Sequence, residues 1–189
     1  LGAVENFFSK CAPAMFMGWS NLNFDRRMFH FNFFKGNRYP YATHSSPNSE
    51  HDGLHIARAA QTLNSETLKT ELTEAGNPSL ALESLSRMQG FDTSASHTAY
   101  VDAQNSLKVL RIIRDKHKEN WQTFLKTSTK QSVETILKSD GIYSIFENVK
   151  GKNMMYLVST LHPNQCFHPS YASWGYSWDC RRDPEPLLN

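Results

Sequence analysis

Apolar positions first recur with a helical period after Asn48 and Ser49, either of which can cap a helix. Leu54, Ala57, Leu63 and Leu68 predict one face of that first helix, and Gly76, Asn77 and Pro78 end it. A second helix is expected from about Ser79 to past Tyr100, kinked near Gly90. A third begins near Ser106, with Leu107, Leu110, Ile113, Trp121 and Phe124 as its apolar face, and a short fourth holds Val133, Ile136 and Leu137. The period then changes. Gly141 to Phe146 predicts a strand, Asn148 to Asn153 a turn containing Gly151, and Met154 to Thr160 the returning strand of a hairpin.

Both ends lack such a period. Residues 1–49 scatter aromatic rings among Asn, Gly, Pro and Ser, and residues from His162 onward are rich in Pro, Trp and Tyr. Rings with no local face to share predict burial on another surface. The alternative is an arm that packs on its own domain. The expected organisation is an irregular aromatic arm over 1–49, a folded domain over 50–166 and a second irregular arm over 167–189. Trp19, Phe33, Phe34, Tyr41, Trp174, Trp178, Arg181 and Arg182 are the expected partner-binding residues, being of the types that interfaces favour.

Composition narrows the classes. In 189 residues, 39% apolar and 20% charged exclude a chain too polar to fold. No run of 18 apolar residues is present to cross a bilayer. The net charge of +2 does not by itself argue for nucleic acid, although a local basic patch stays open. Lys108, Arg111, Arg114, Lys116 and Lys118 form the densest basic stretch. Asp115 and Glu119 dilute it, and it reads as a solvated helix face. Three cysteines without a CxxC pair point to a reducing compartment rather than a disulfide framework. A start at Leu1 rather than Met is expected of a processed chain.

Histidines carry the candidate chemistry. His51 and His55, four apart on the expected first helix, would face one side, and His97 falls on the next helix. Imidazole suits iron, manganese and zinc; the alternative is three histidines at the surface or hydrogen-bonded in the core.

His51-Asp52-Gly53-Leu54-His55 with Leu63-Asn64, Ser96-His97-Thr98-Ala99-Tyr100, Asp140-Gly141-Ile142-Tyr143 and Pro163-Asn164-Gln165 follow one another in an order that resembles the iron/manganese superoxide dismutases. The resemblance implies an α+β fold, a helical hairpin followed by a small helix-flanked β-sheet, truncated at its C-terminus. It places His51 and His97 on two metal-ligand positions and His55 on a neighbouring outer one. The family's closing D-x-W-E-H motif is missing after the second strand, and Ala59 stands where the family has its active-site tyrosine. The implied protein is a catalytically inactive dismutase-like structural subunit with remnant ligands and no cofactor. Such proteins occur in the small subunit of mitochondrial ribosomes. A mitochondrial location is therefore expected, with protein subunits of a large complex as partners, a second dismutase-like chain among them, peripheral contact to rRNA and no small-molecule substrate. An accessory subunit of a respiratory complex and an active dismutase with a rearranged C-terminus are the alternatives.

Overall fold

A computed structural model of the chain describes residues 1–94, 98–139, 141–160, 167–168, 171–183 and 185. It divides into two compact units, 1–129 and 130–189.

The first unit opens on α1 (Gly2–Cys11), β1 (Met15–Gly18) and α2 (Asp25–Lys35), in the segment expected to be irregular. Aromatic residues lie all round α2, so its sequence shows no apolar stripe, yet Phe33 is buried against Phe8 and Phe29. β1 pairs in parallel with β2 (Ser49–Asp52), in register Met15 with Ser49 through Gly18 with Asp52. Parallel neighbours need a crossover, and α2 lies in the connection that supplies it. The expected helix start at residues 48–49 is thus a strand. Its residues are Ser, Glu, His and Asp, without apolar alternation, and what holds the strand is hydrogen bonding by buried polar side chains.

The helix begins one step later. Asp52 caps α3 (Gly53–Leu63) by accepting the Leu54 amide at 3.0 Å. Gly53 is required there by close approach. A Cβ at this position would lie 2.9 Å from the Gly18 carbonyl oxygen and 3.1 Å from the Trp19 ring. α3 stops at Leu63 and does not continue to Leu68. Asn64 turns the chain, and the Gln61 side chain then bonds the Ser65 carbonyl and the Leu68 amide. The expected second helix is likewise two. α4 (Leu82–Met88) ends before Gly90, whose φ of +75° is a stop rather than a kink, and α5 (Ala99–Lys116) follows. His117 separates α5 from α6 (Lys118–Leu125), and a single 3-10 turn closes the unit at Lys126–Ser128.

The core lies among α3, α4 and α5. Ile56, Ala57 and Ala60 of α3 meet Leu85 of α4 and Val109, Leu110 and Ile113 of α5, with Leu68 and Leu80 from the connection. Alanines at 57 and 60 are fully buried, and their small side chains let α5 come close.

The second unit holds α7 (Lys130–Lys138) and a hairpin of β3 (Ile142–Val149) and β4 (Lys152–Thr160). The hairpin matches the expected one, extended to eight cross-strand pairs. Its two turn residues, Lys150 and Gly151, have φ of 51° and 83°, the pair of positive values that a tight two-residue hairpin turn needs. β5 (Phe167–His168) pairs with β6 (Tyr171–Gly175), and β7 (Ser177–Asp179) adds to the free edge of β4. The segment after residue 166, expected to be irregular, therefore contains strands.

Candidate functional site

The expected histidine cluster does not form as drawn. His51 sits on β2 and His55 on the exposed side of α3, so the two do not share a helix face. His51 is buried and both ring nitrogens are engaged. Nδ1 accepts the Asp52 amide at 2.8 Å, which puts the proton on Nε2, and Nε2 donates to the Phe124 carbonyl at 2.7 Å. Burial pushes its pKa below the ordinary histidine value, with the backbone hydrogen bonds opposing part of that shift. The ring ties β2 to the end of α6. His97 lies outside the described residues. Among the described residues no group of three His, Cys, Asp or Glu is placed to hold a metal ion.

The expected partner-binding residues divide. Trp19 packs against the core and donates its indole N–H to the Leu80 carbonyl at 3.1 Å. Phe33 is buried, whereas Phe34 and Tyr41 are exposed. In the second unit Trp178 donates to the Arg182 carbonyl at 3.2 Å. Arg181 pairs with Asp179 at 2.6 Å and lies over the Tyr156 ring. That pairing holds the Asp179 carboxyl down at about 2. The side chain of Trp174 lies outside what the structure describes.

The site that does form is a cavity of about 740 Å³ within the first unit. Its floor is the carboxyl end of β1, Phe16 to Gly18, with Trp19 and Asn21 of the loop beyond it. That is where a parallel sheet presents its ligand-binding crevice. Asp25 and Arg26, in the first turn of α2, form one wall. Asp102, Ser106 and Leu110 of α5 form another. Two acidic residues from separate elements therefore line one space, Asp25 exposed and Asp102 half-buried. Glu50 also reaches the lining but is committed: it accepts Arg26 Nε at 2.6 Å and the Thr43 hydroxyl. Asn21 Oδ1 is buried with no hydrogen-bond partner among the described residues, an unsatisfied acceptor in the lining of a cavity.

Sequence reasoning missed Asp25, Asn21 and Asp102. An acidic residue in the first turn of a helix ordinarily complements the helix dipole, and that bland role hides both aspartates. The one available signal was the density of polar residues, Ser20 to Asp25, between an apolar strand and a helix start.

No family model matches the chain. Exodeoxyribonuclease I of Buchnera aphidicola is 26% identical over an alignment of 204 positions, spanning 100% of this chain and 41% of that protein. Exodeoxyribonuclease I of Haemophilus influenzae is 25% identical over 122 residues, spanning 64% of this chain and 26% of that protein. The solved structure of Escherichia coli exonuclease I in complex with a dA16 oligonucleotide superposes with a TM-score of 0.80 at 19% identity, covering 100% of this chain and 40% of that one. The chain thus spans about two-fifths of the length of the relatives it matches end to end.

The fold is accordingly that of part of exonuclease I, and the superoxide dismutase resemblance is overturned. The remnant-ligand reading of His51, His55 and His97 rested on that resemblance and goes with it. Relatives that are nucleases by name contradict an inactive dismutase-like subunit, and equally a respiratory accessory subunit or an active dismutase. The structural neighbour is held with a DNA oligonucleotide, which speaks against the expected ribosomal proteins and rRNA. Both curated relatives are bacterial, against the mitochondrial placement.

Proposed function

We propose that this chain is part of a DNA exonuclease and that the cavity between α2 and α5 is where it cleaves. The observation that carries the reading is that Asp25 and Asp102 both line one crevice at the carboxyl end of β1. A phosphodiester resists attack because its oxygens are negatively charged, and bare carboxylates would only repel it. Two carboxylates in a nucleic-acid cleft make chemical sense as ligands to a divalent cation. Asp25 and Asp102 fit magnesium or manganese. These ions take oxygen donors and are commonly held by one or two carboxylates, with waters and substrate phosphate completing the shell. The unsatisfied amide oxygen of Asn21 is a third oxygen donor in the same lining. When bound, the cation supplies charge to the developing oxyanion and acidifies a water.

This chain's residues then divide the work. Asp25 and Asp102 would hold the cation. Arg26, beside Asp25, is neutralised by Glu50 and keeps the first turn of α2 in place. Phe16 and Trp19 give the crevice apolar lining. His97 lies outside the described residues, but in the sequence it stands five positions before Asp102, just ahead of the Thr98 cap of α5. Imidazole is the side chain whose ordinary pKa suits it to take a proton from attacking water near neutral pH, and we assign His97 that role.

The neighbour's complex supports a substrate class. A dA16 strand cannot pair with itself by the Watson–Crick rules, so the oligonucleotide in that complex is single-stranded. Single-stranded DNA with a free end is the substrate we assign. The test is release of mononucleotides from an end-labelled dT homopolymer by the intact protein with magnesium. Asp25→Asn and Asp102→Asn should each lower the rate by more than about a hundredfold, beyond what loss of a mere supporting residue costs. Wild-type rates in both variants would refute the assignment.

A further inference from the structure

Asp25 sits between two grips, and both come from β2. On one side, Asp52 accepts the Ser20 amide at 2.8 Å through Oδ1 and the Leu22 amide at 3.3 Å through Oδ2. On the other, Glu50 accepts Arg26 Nε at 2.6 Å through Oε2, while its second oxygen accepts the Thr43 hydroxyl. Residues two apart on a strand share a face, and these two are 6% and 0% exposed. Burying one carboxylate is unfavourable unless its oxygens are paired, and burying two on one short strand is more so. A strand selected for stability alone would carry apolar side chains at these places. Here both carboxylates accept bonds from a single short segment, residues 20–26, and that segment carries Asp25.

We propose that Glu50 and Asp52 are positioning residues, a pair of buried carboxylates that fix where the Asp25 carboxylate stands in the cavity and hence how tightly the site holds a divalent cation. The proposal rests on the reading of Asp25 as a cation-holding group. Asp52 fixes the backbone ahead of α2, and Glu50 fixes its first turn through Arg26. With both in place, the Asp25 Cα has little freedom before any cation arrives, so less ordering remains to oppose binding. Asp52 has a second duty, since Oδ1 also caps α3. The Glu50–Arg26 arm is therefore the cleaner one to test.

The experiment measures Mn2+ binding to the intact protein by electron paramagnetic resonance without DNA, beside cleavage of a dT homopolymer as Mn2+ is varied. Glu50→Gln and Arg26→Gln should each weaken Mn2+ binding by about 10–100-fold, the usual loss when a group that orients a metal ligand is removed. Cleavage should recover at saturating Mn2+. The exchanged pair Arg26→Glu with Glu50→Arg should regain affinity relative to either single variant. Mn2+ affinity within twofold of wild type in Arg26→Gln, in a protein where Asp25→Asn abolishes Mn2+ binding, would overturn the proposal and leave the functional reading intact. Unchanged binding and cleavage in Asp25→Asn would remove both. If Glu50→Gln does not fold, Arg26→Gln decides alone, since its side chain is about one-third exposed, at 34%.

Discussion

Asp25 opens α2 and Asp102 sits in the first turn of α5, and the two line one cavity although the whole α3–α4 core lies between them in sequence. Asp25 is exposed and Asp102 half-buried, while the buried acids of the same region, Glu50 and Asp52, have their oxygens taken. Two acids that line a cavity thus stand beside two buried acids whose hydrogen bonds hold its walls.

Two carboxylates that hold one cation act as a unit, so their losses should not add. Asp25→Asn with Asp102→Asn should cleave a dT homopolymer about as slowly as either single variant, because the first substitution already removes most of what both supply. Losses that multiply across the double variant would mean that the aspartates act independently, and a shared cation would be the wrong description.

Replacing His97 tests the base. His97→Ala should lower turnover by about 10²–10⁴, the usual worth of a positioned general base. The wild-type rate should fall on acidification as the imidazole takes up a proton, and the variant should lack that limb. A variant that keeps the limb would locate the titrating group elsewhere.

Phe33 and Phe34 are adjacent on α2, and the structure separates them. Phe33 is 2% exposed and meets Phe8 and Phe29, whereas Phe34 is 77% exposed. Phe33→Ala should destabilise the intact protein by about 3–5 kcal/mol, and Phe34→Ala should stay within about 0.5 kcal/mol of wild type. Chemical denaturation measures both. Equal effects would show that some other surface covers Phe34.

The same contrast explains which features were legible in the sequence. The β3–β4 hairpin could be read because Lys150-Gly151 sits between two strands that keep their own period. The face of α5 and α6 could be read because Leu110, Ile113 and Trp121 recur as a helix requires. β2 could not. Glu50, His51 and Asp52 are buried polar residues, and a pattern of apolar positions is silent about a strand that polar hydrogen bonds hold in place. α2 was hidden by the opposite cause: Met28, Phe29, Phe31, Phe33 and Phe34 leave no polar face to contrast with. The cavity needs three pieces, the end of β1 and the starts of α2 and α5, that only tertiary packing brings together. His51 drew attention because histidine is a familiar ligand, and its spacing to His55 has meaning only if one helix carries both.

His51 also makes stability depend on pH, and the sign can be worked out. Burial lowers its pKa in the folded protein below the ordinary value of about 6.5, which the unfolded chain retains. Between the two values the unfolded chain binds the extra proton and the folded one does not, so acid favours unfolding. The contribution of His51 is therefore fully present above about pH 6.5 and is lost as pH falls toward the folded value, with a slope of up to about 1.4 kcal/mol per pH unit. His30, His44 and His117 are shifted in the same direction, mainly by burial, and add to the wild-type slope. A single substitution isolates the share of His51. His51→Gln keeps an amide N–H for the Phe124 carbonyl but cannot take up a proton. It should be less stable than wild type at pH 8, where the native hydrogen bonds are whole. Between pH 7 and 5 its stability should fall less steeply. Urea midpoints at half-unit pH intervals would measure both slopes. Parallel slopes would show that His51 takes up its proton alike in the folded and the unfolded chain, and that the acid sensitivity belongs to other groups.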